Sequence, residues 1–217
     1  PFITPSVNSV VRSMVEALLL VTIVVFLFLQ SWRATLIPSL VVPVALIGTC
    51  VGLHLFGISL NLLSLFGMVV AIGILNDDAI VVVENVERVM REEGLNARQA
   101  TVKAVGQISG AVIASTLVLV AVFVPMAFFP GSTGGIYRQF SVTISVSILL
   151  STVLALTLGA TLCAALLKDE ATRAREAAEN KPGLLMRGLN RVFAGFNAGL
   201  DAGTEKYIRG VGGMLAK

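Results

Sequence analysis

Charge is what this sequence has least of. Only 13% of its 217 residues are Asp, Glu, Lys or Arg, about half the share of roughly 25% in soluble domains. That leaves too little polar surface to coat a water-soluble globule, and a mean hydropathy of +0.90 makes lipid the expected solvent. One histidine and two cysteines exclude a metal centre of His/Cys spacing and a disulfide framework. Cys50 and Cys163 both sit inside apolar runs and read as small hydrophobes. No basic stripe with interleaved aromatics occurs, so nucleic acid is not an expected partner. The net charge of +3 is small, and its placement matters more than its size. The chain opens at Pro1 without a signal-peptide pattern, as expected of a piece cut from something longer.

What remains is a succession of apolar runs, expected to form an all-α polytopic helix bundle over residues 1–168. The first run extends over about 10–30 and ends at Gln30-Ser31-Trp32-Arg33, with Trp32 as an interfacial anchor. From Ala34 to Asn76 there is no Asp, Glu, Lys or Arg. As one helix that stretch measures about 65 Å, twice a bilayer core, so it must fold back. Gly57-Ile58-Ser59 and Asn61 supply the turn. The spans are thus expected at about 34–56, with Pro38 and Pro43 inside, and about 60–88. The latter ends in charged residues, among which Glu84 and Arg88 stand in the favourable order for an i,i+4 ion pair. After a polar connection bearing Arg98 and Lys103, further spans are expected at about 104–129 and 137–167, separated by Pro130-Gly131-Ser132-Thr133-Gly134-Gly135.

Beyond Lys168 the composition turns polar over 169–183, as in a solvated linker. Leu184, Leu185, Leu189, Val192, Phe193, Phe196 and Leu200 then recur at helical spacing, predicting an amphipathic helix over 184–200 in the membrane interface. Residues 201–217 open a further segment. Arg33, then Arg88, Arg91, Arg98 and Lys103, then Lys168 all fall at alternate span ends. That side is the cytoplasm by the positive-inside rule, and the N-terminus and the turns near Gly57 and Pro130 face outward.

The exception to this apolar pattern is Asp77-Asp78, flanked by Ile74, Leu75, Ile80 and Val81 deep inside the third span. A charge at membrane centre costs about 2.5–3.5 kcal/mol on insertion scales, so two adjacent acids need a reason. Neighbours on a helix point about 100° apart, which lets both face a bundle interior without touching. One reading is a proton relay, its carboxyls gaining and losing protons as a basic residue approaches or withdraws. The other is a permanently protonated or salt-bridged pair that locks helices together, a task Ser or Thr performs at lower cost. Asn76 is placed to donate to either carboxylate or to bond across helices. Glu16, nearer the outer end of the first span, is either a snorkelling interfacial residue or a secondary gating carboxylate. His54 reads as interfacial.

The stretch from Phe66 through Gly73-Ile74-Leu75-Asn76-Asp77-Asp78-Ala79-Ile80-Val81-Val82-Val83-Glu84-Asn85 to Arg88 closely resembles the fourth transmembrane helix of resistance-nodulation-division (RND) multidrug efflux pumps. The hydrophobe/amphiphile type (AcrB/MexB-like) is the nearest subgroup. Phe28-Leu29-Gln30-Ser31-Trp32-Arg33, Val124-Pro125-Met126-Ala127-Phe128-Phe129 and Gly131-Ser132-Thr133-Gly134-Gly135-Ile136-Tyr137-Arg138 carry the same resemblance, which runs over about residues 7–168. It implies helices two to six of a twelve-helix drug/proton antiporter in the bacterial inner membrane. Asp77 and Asp78 would be the proton-binding pair, met by a Lys-bearing helix of the second half, and Glu16 would have a supporting role. It also implies a homotrimer, a periplasmic adaptor, an outer-membrane channel, and no cofactor or metal beyond protons as coupling ion. The doubled acid points to organic rather than heavy-metal substrates.

Two departures stand out: Asn76 occupies a usually aliphatic position, and Leu158-Gly159-Ala160-Thr161-Leu162-Cys163 replaces a usual Thr-Pro before the Ala-Leu-Cys, losing a helix-bending proline. The large periplasmic domains that bind drugs in such pumps are not in this chain, so the segment alone is not expected to transport. Two other classes compete: an intramembrane aspartyl enzyme, whose two acids must face each other across a water, and a non-transporting membrane scaffold.

Overall fold

In the computed structural model the described residues are 3–131 and 133–168, together with 193–196, 198, 204 and 208. The linker expected at 169–183 lies outside them, as does most of the expected interfacial helix at 184–200 and of the segment at 201–217; the few described residues there are helical.

Residues 1–170 form one compact unit of antiparallel-running helices. In chain order these are α1 (Ile3–Leu29), α2 (Trp32–Leu55), α3 (Leu62–Glu93), α4 (Ala97–Phe123), α5 (Gly134–Leu154) and α6 (Ala160–Leu166). A 3₁₀ stretch, Val124–Phe128, extends α4 where Pro125 removes a backbone donor. A π-helical turn, Ala155–Gly159, joins α5 to α6 into one rod, at the place where the sequence lacks a helix-bending proline. Five helices are long and apolar enough to cross a membrane among the described residues, and no strand occurs there. The fold is an all-α membrane bundle and the protein is multi-pass.

The helix ends follow from local chemistry. Ser31 accepts from Ala34 N at the start of α2, and Asn61 with Ser64 forms a capping box at the start of α3. Gly94 ends α3 in the left-handed region at φ 64°, and its N–H donates to Met90 O at 3.1 Å. Two helices begin earlier than hydropathy predicts. Pro5 falls in the first turn of α1, where a missing donor costs nothing. Asn96 caps Gln99 N at 2.9 Å and starts α4 seven residues before its apolar run. The early turns of α4 bury Ala97, Ala100, Thr101 and Ala104, a narrow face of small residues that a hydropathy window averages away.

α3 is the axis of the bundle and packs against α1, α2, α4 and α5. At Gly67 it comes close to α5, where a Cβ would sit 3.2 Å from Thr143 Cγ2. At the uncharged end of the bundle, Asn61 Nδ2 donates to Gln139 Oε1 at 2.7 Å and ties the start of α3 to the early turns of α5. Outward faces of α1 (Leu19, Leu20, Ile23) and α4 (Leu117, Val118, Val122) are exposed and apolar, as a lipid-facing surface requires.

Gly67→Leu is expected to force α3 from α5 and cost about 1–3 kcal/mol by overpacking. Gly110→Leu, at a position with nothing within 4 Å, is the control. Thermal unfolding in detergent checks this; equal midpoints for the two variants would contradict the packing described.

Candidate functional site in the third membrane helix

Most buried apolar side chains of α3 fall into two clusters. Ala71, Ile72 and Leu75 pack with Val42 and Ala45 of α2. Ala79, Val82, Val83, Val86, Val89 and Met90 pack with Ile37 and Val41 of α2 and Ala97, Ala100 and Ala104 of α4. Asn76, Asp77 and Asp78 occupy the seam between them. Leu62 and Glu93 bound the helix and each lies about 23 Å along the axis from Asp77 at 1.5 Å per residue. The pair is therefore halfway along the longest helix, remote from either end.

The two acids diverge. Asp78 is half-buried and turned to α5, where Thr152 Oγ1 donates to its Oδ2 at 2.6 Å. Behind it, Thr152 Oγ1 lies 2.6 Å from Thr116 Oγ1 of α4. One residue earlier, Ser151 Oγ donates to Leu75 O of α3 at 2.8 Å, fixing α5 against α3 beside the acid. Asp77 instead lies on the open stripe of α3, with Phe66, Val70, Gly73, Val81, Glu84 and Arg88 at steps of three and four residues. The expectation that both acids face the interior of this bundle holds for Asp78; Asp77 points out of it. A carboxylate at this depth must find a protein or aqueous partner, since hydrocarbon offers none.

The other expected residues separate from the pair. Asn76 is buried but makes no hydrogen bond to either carboxylate among the described residues. Glu16 is exposed on α1 and its Oε1 pairs with Arg12 Nε at 2.8 Å. His54 is exposed in the last turn of α2.

At the charged end, Arg88 does not pair with Glu84. Its guanidinium donates to Asn85 Oδ1 at 2.7 and 3.1 Å and to Glu92 Oε2 at 2.8 Å. Asn85 Nδ2 in turn donates to Ala104 O of α4 at 3.1 Å, which draws the arginine toward α4 and away from Glu84. Glu84 instead lines a cavity of about 610 Å³ with Gln30, Glu87, Arg91 and the apolar end of α1. Lys103 Nζ to Glu93 Oε2, 2.6 Å, closes the same side of the α3–α4 turn.

The side chains around Asp78 that the apolar pattern concealed are Thr116, Ser151 and Thr152. The signal for Ser151 and Thr152 was the density of hydroxyls in α5, where Ser141, Thr143, Ser145, Ser147, Ser151 and Thr152 are all buried; Thr116 lies on α4 and had no such signal. Among the described residues no group of three or more His, Cys, Asp or Glu is arranged to hold a metal ion.

The sequence matches the AcrB/AcrD/AcrF family over residues 1–217. Its relatives include the multidrug export protein AcrF of Escherichia coli strain K12, 51% identical over 215 residues, which are 99% of this chain and 20% of that protein. The toluene efflux pump membrane transporter TtgE of Pseudomonas putida is 50% identical over the same shares. Multidrug resistance protein MdtF of E. coli strain K12 is 46% identical, again over 99% of this chain and 20% of its own length. This chain thus spans about a fifth of the length of the curated relatives it matches. With a five-span helical bundle built around an acid-bearing central helix and a family match from end to end, the chain belongs to the AcrB/AcrD/AcrF family of RND multidrug efflux transporters.

Proposed function

We propose that this chain is the proton-handling part of a drug/proton antiporter of the bacterial inner membrane, which exports hydrophobic or amphiphilic compounds. The observation that carries the proposal is the position of Asp77 and Asp78 halfway along α3, one held by a hydroxyl from α5 and the other on the helix's open stripe. The relatives' names, which speak of multidrug export and toluene efflux, support the substrate class.

The physical sequence is short. Charged, the pair needs a cation to offset its desolvation; protonated, it does not. Each proton that binds from the outer side and leaves to the cytoplasm releases about 2.3 kcal/mol per 100 mV. A basic side chain facing Asp77 engages the ionised pair and is released on protonation, so the helices that carry the two partners shift against each other. A Lys on a membrane helix of the second half of the pump is the proposed partner. Export itself is proposed for the whole transporter, a homotrimer working with a periplasmic adaptor and an outer-membrane channel, with protons as the coupling ion and no cofactor. Glu16, paired with Arg12 at the surface of α1, is assigned at most a supporting part. The divergence of Asp77 and Asp78 speaks against an aspartyl enzyme, whose acids must share one water.

In a full-length pump carrying this segment, Asp77→Asn and Asp78→Asn are each expected to abolish drug export and proton flux together, while membrane insertion is unchanged. Efflux of a fluorescent substrate and pH-dye quenching in proteoliposomes check both. Export that survives either substitution would defeat the relay and favour a scaffold. A second expectation concerns the rest of the polypeptide: a Lys inside a later apolar span, whose replacement by Met reproduces the Asp77→Asn phenotype in the same assays.

A further inference from the structure

The hydrogen-bond network of Asp78 does not stop at Thr152. Thr152 Oγ1 lies 2.6 Å from Asp78 Oδ2, 2.6 Å from Thr116 Oγ1 and 3.2 Å from Ile148 O. Thr116 Oγ1 in turn lies 2.8 Å from Val112 O of its own helix. Both threonines are buried, so water does not compete for these bonds. α3, α5 and α4 are thereby joined in one line of carboxyl, hydroxyl, hydroxyl and carbonyl.

A hydroxyl has one hydrogen to give. An ionised Asp78 only accepts, so the Thr152 hydrogen must point to it. The 2.6 Å contact behind Thr152 then requires Thr116 to donate to Thr152, which takes the Thr116 hydrogen away from Val112 O. With a proton on Oδ2, Asp78 donates instead. Thr152 turns its hydrogen to Thr116, and Thr116 returns its own to Val112 O. With a single proton at one end, the Asp78–Thr152 and Thr152–Thr116 bonds reverse direction and the Thr116–Val112 O bond is made or lost. The line cannot conduct, because a backbone carbonyl does not take up and release protons at its far end. It can only register what Asp78 carries. Three residues past Thr152 the rod enters its π-helical turn, Ala155–Gly159, a backbone irregularity that tolerates small changes of helix geometry.

We propose that Thr152 and Thr116 form a two-hydroxyl chain that transmits the protonation state of Asp78 to the α4–α5 contact, making both of them positioning residues for proton-coupled export. The proposal rests on the reading of Asp78 as a proton site. Asp77 is the one charged side chain that acts on Asp78 among the described residues; α5 and α4 face it with Thr152 and Thr116 alone in this network.

The test uses a full-length pump carrying this segment, reconstituted in lipid, with proton-induced infrared difference spectra and export measured side by side. In the parent, a protonated-carboxyl C=O band is expected that Asp78→Asn removes. Thr116→Val, nearly isosteric and two bonds away from the acid, is expected to shift that band and lower the export rate about tenfold, the size of one buried hydrogen bond. Thr116→Ser, which keeps the hydroxyl, restores both. Thr116→Ala reads the same way should valine not be accommodated. A band and an export rate unmoved by Thr116→Val and Thr116→Ala overturn the hydroxyl chain while leaving Asp78 as the proton site. A band that persists in Asp78→Asn overturns the proton-site reading and the chain with it.

Discussion

A carboxylate halfway along a membrane helix is the constraint from which the rest of this structure follows. Hydrocarbon cannot solvate it, so the helix that carries it must be surrounded by protein or reach water. α3 meets this demand by standing at the centre of the bundle, in contact with α1, α2, α4 and α5. The close approach that centrality needs is made with small residues: Gly67 toward α5, and Ala97, Ala100 and Ala104 of α4 toward the charged end of α3. The one stripe of α3 left open carries Asp77 together with Gly73, Glu84 and Arg88, a surface that neither lipid nor a soluble neighbour fits.

The same constraint explains the chemistry of α5. A helix lined with buried Ser and Thr contributes donors without charge, and their surplus bonds run to carbonyls one turn back, as for Ser147 to Thr143 O at 2.8 Å. Where that helix passes Asp78 the donors turn outward: Ser151 to the α3 backbone and Thr152 to the carboxylate. Clusters of apolar side chains pack on α3 on either side of this point, so Asp78 meets its hydroxyl partners between two apolar layers.

The number of spans and the site of the acid pair were legible in the residues, since both rest on gross partitioning. Stretches without charge outrun one bilayer, and Gly57 or Pro130 must then turn the chain. Side-chain pairing was less legible. Glu84 and Arg88 have ideal spacing on one helix, yet Asn85, on the same helix and anchored across the helix pair on Ala104 O, captures the arginine. The early start of α4 escaped for a related reason, because alanine contributes to packing by being small rather than by being hydrophobic. Spacing alone allowed Asp77 and Asp78 to share an interior, whereas the register of α3 against α5 turns only Asp78 inward. Which of the many hydroxyls meets Asp78 depends on tertiary register, so the hydroxyl density of α5 announced polar contacts without singling out Thr152, and nothing local announced Thr116.

The central claim is that the open stripe at Asp77 is a protein contact within the membrane. A structure of the full-length transporter in a lipid nanodisc tests it most directly. The account predicts a helix from outside this segment covering Gly73 and Asp77, with a basic side chain within about 4 Å of the Asp77 carboxylate. Ordered acyl chains lying against that carboxylate, with no protein group or water beside it, would contradict the account.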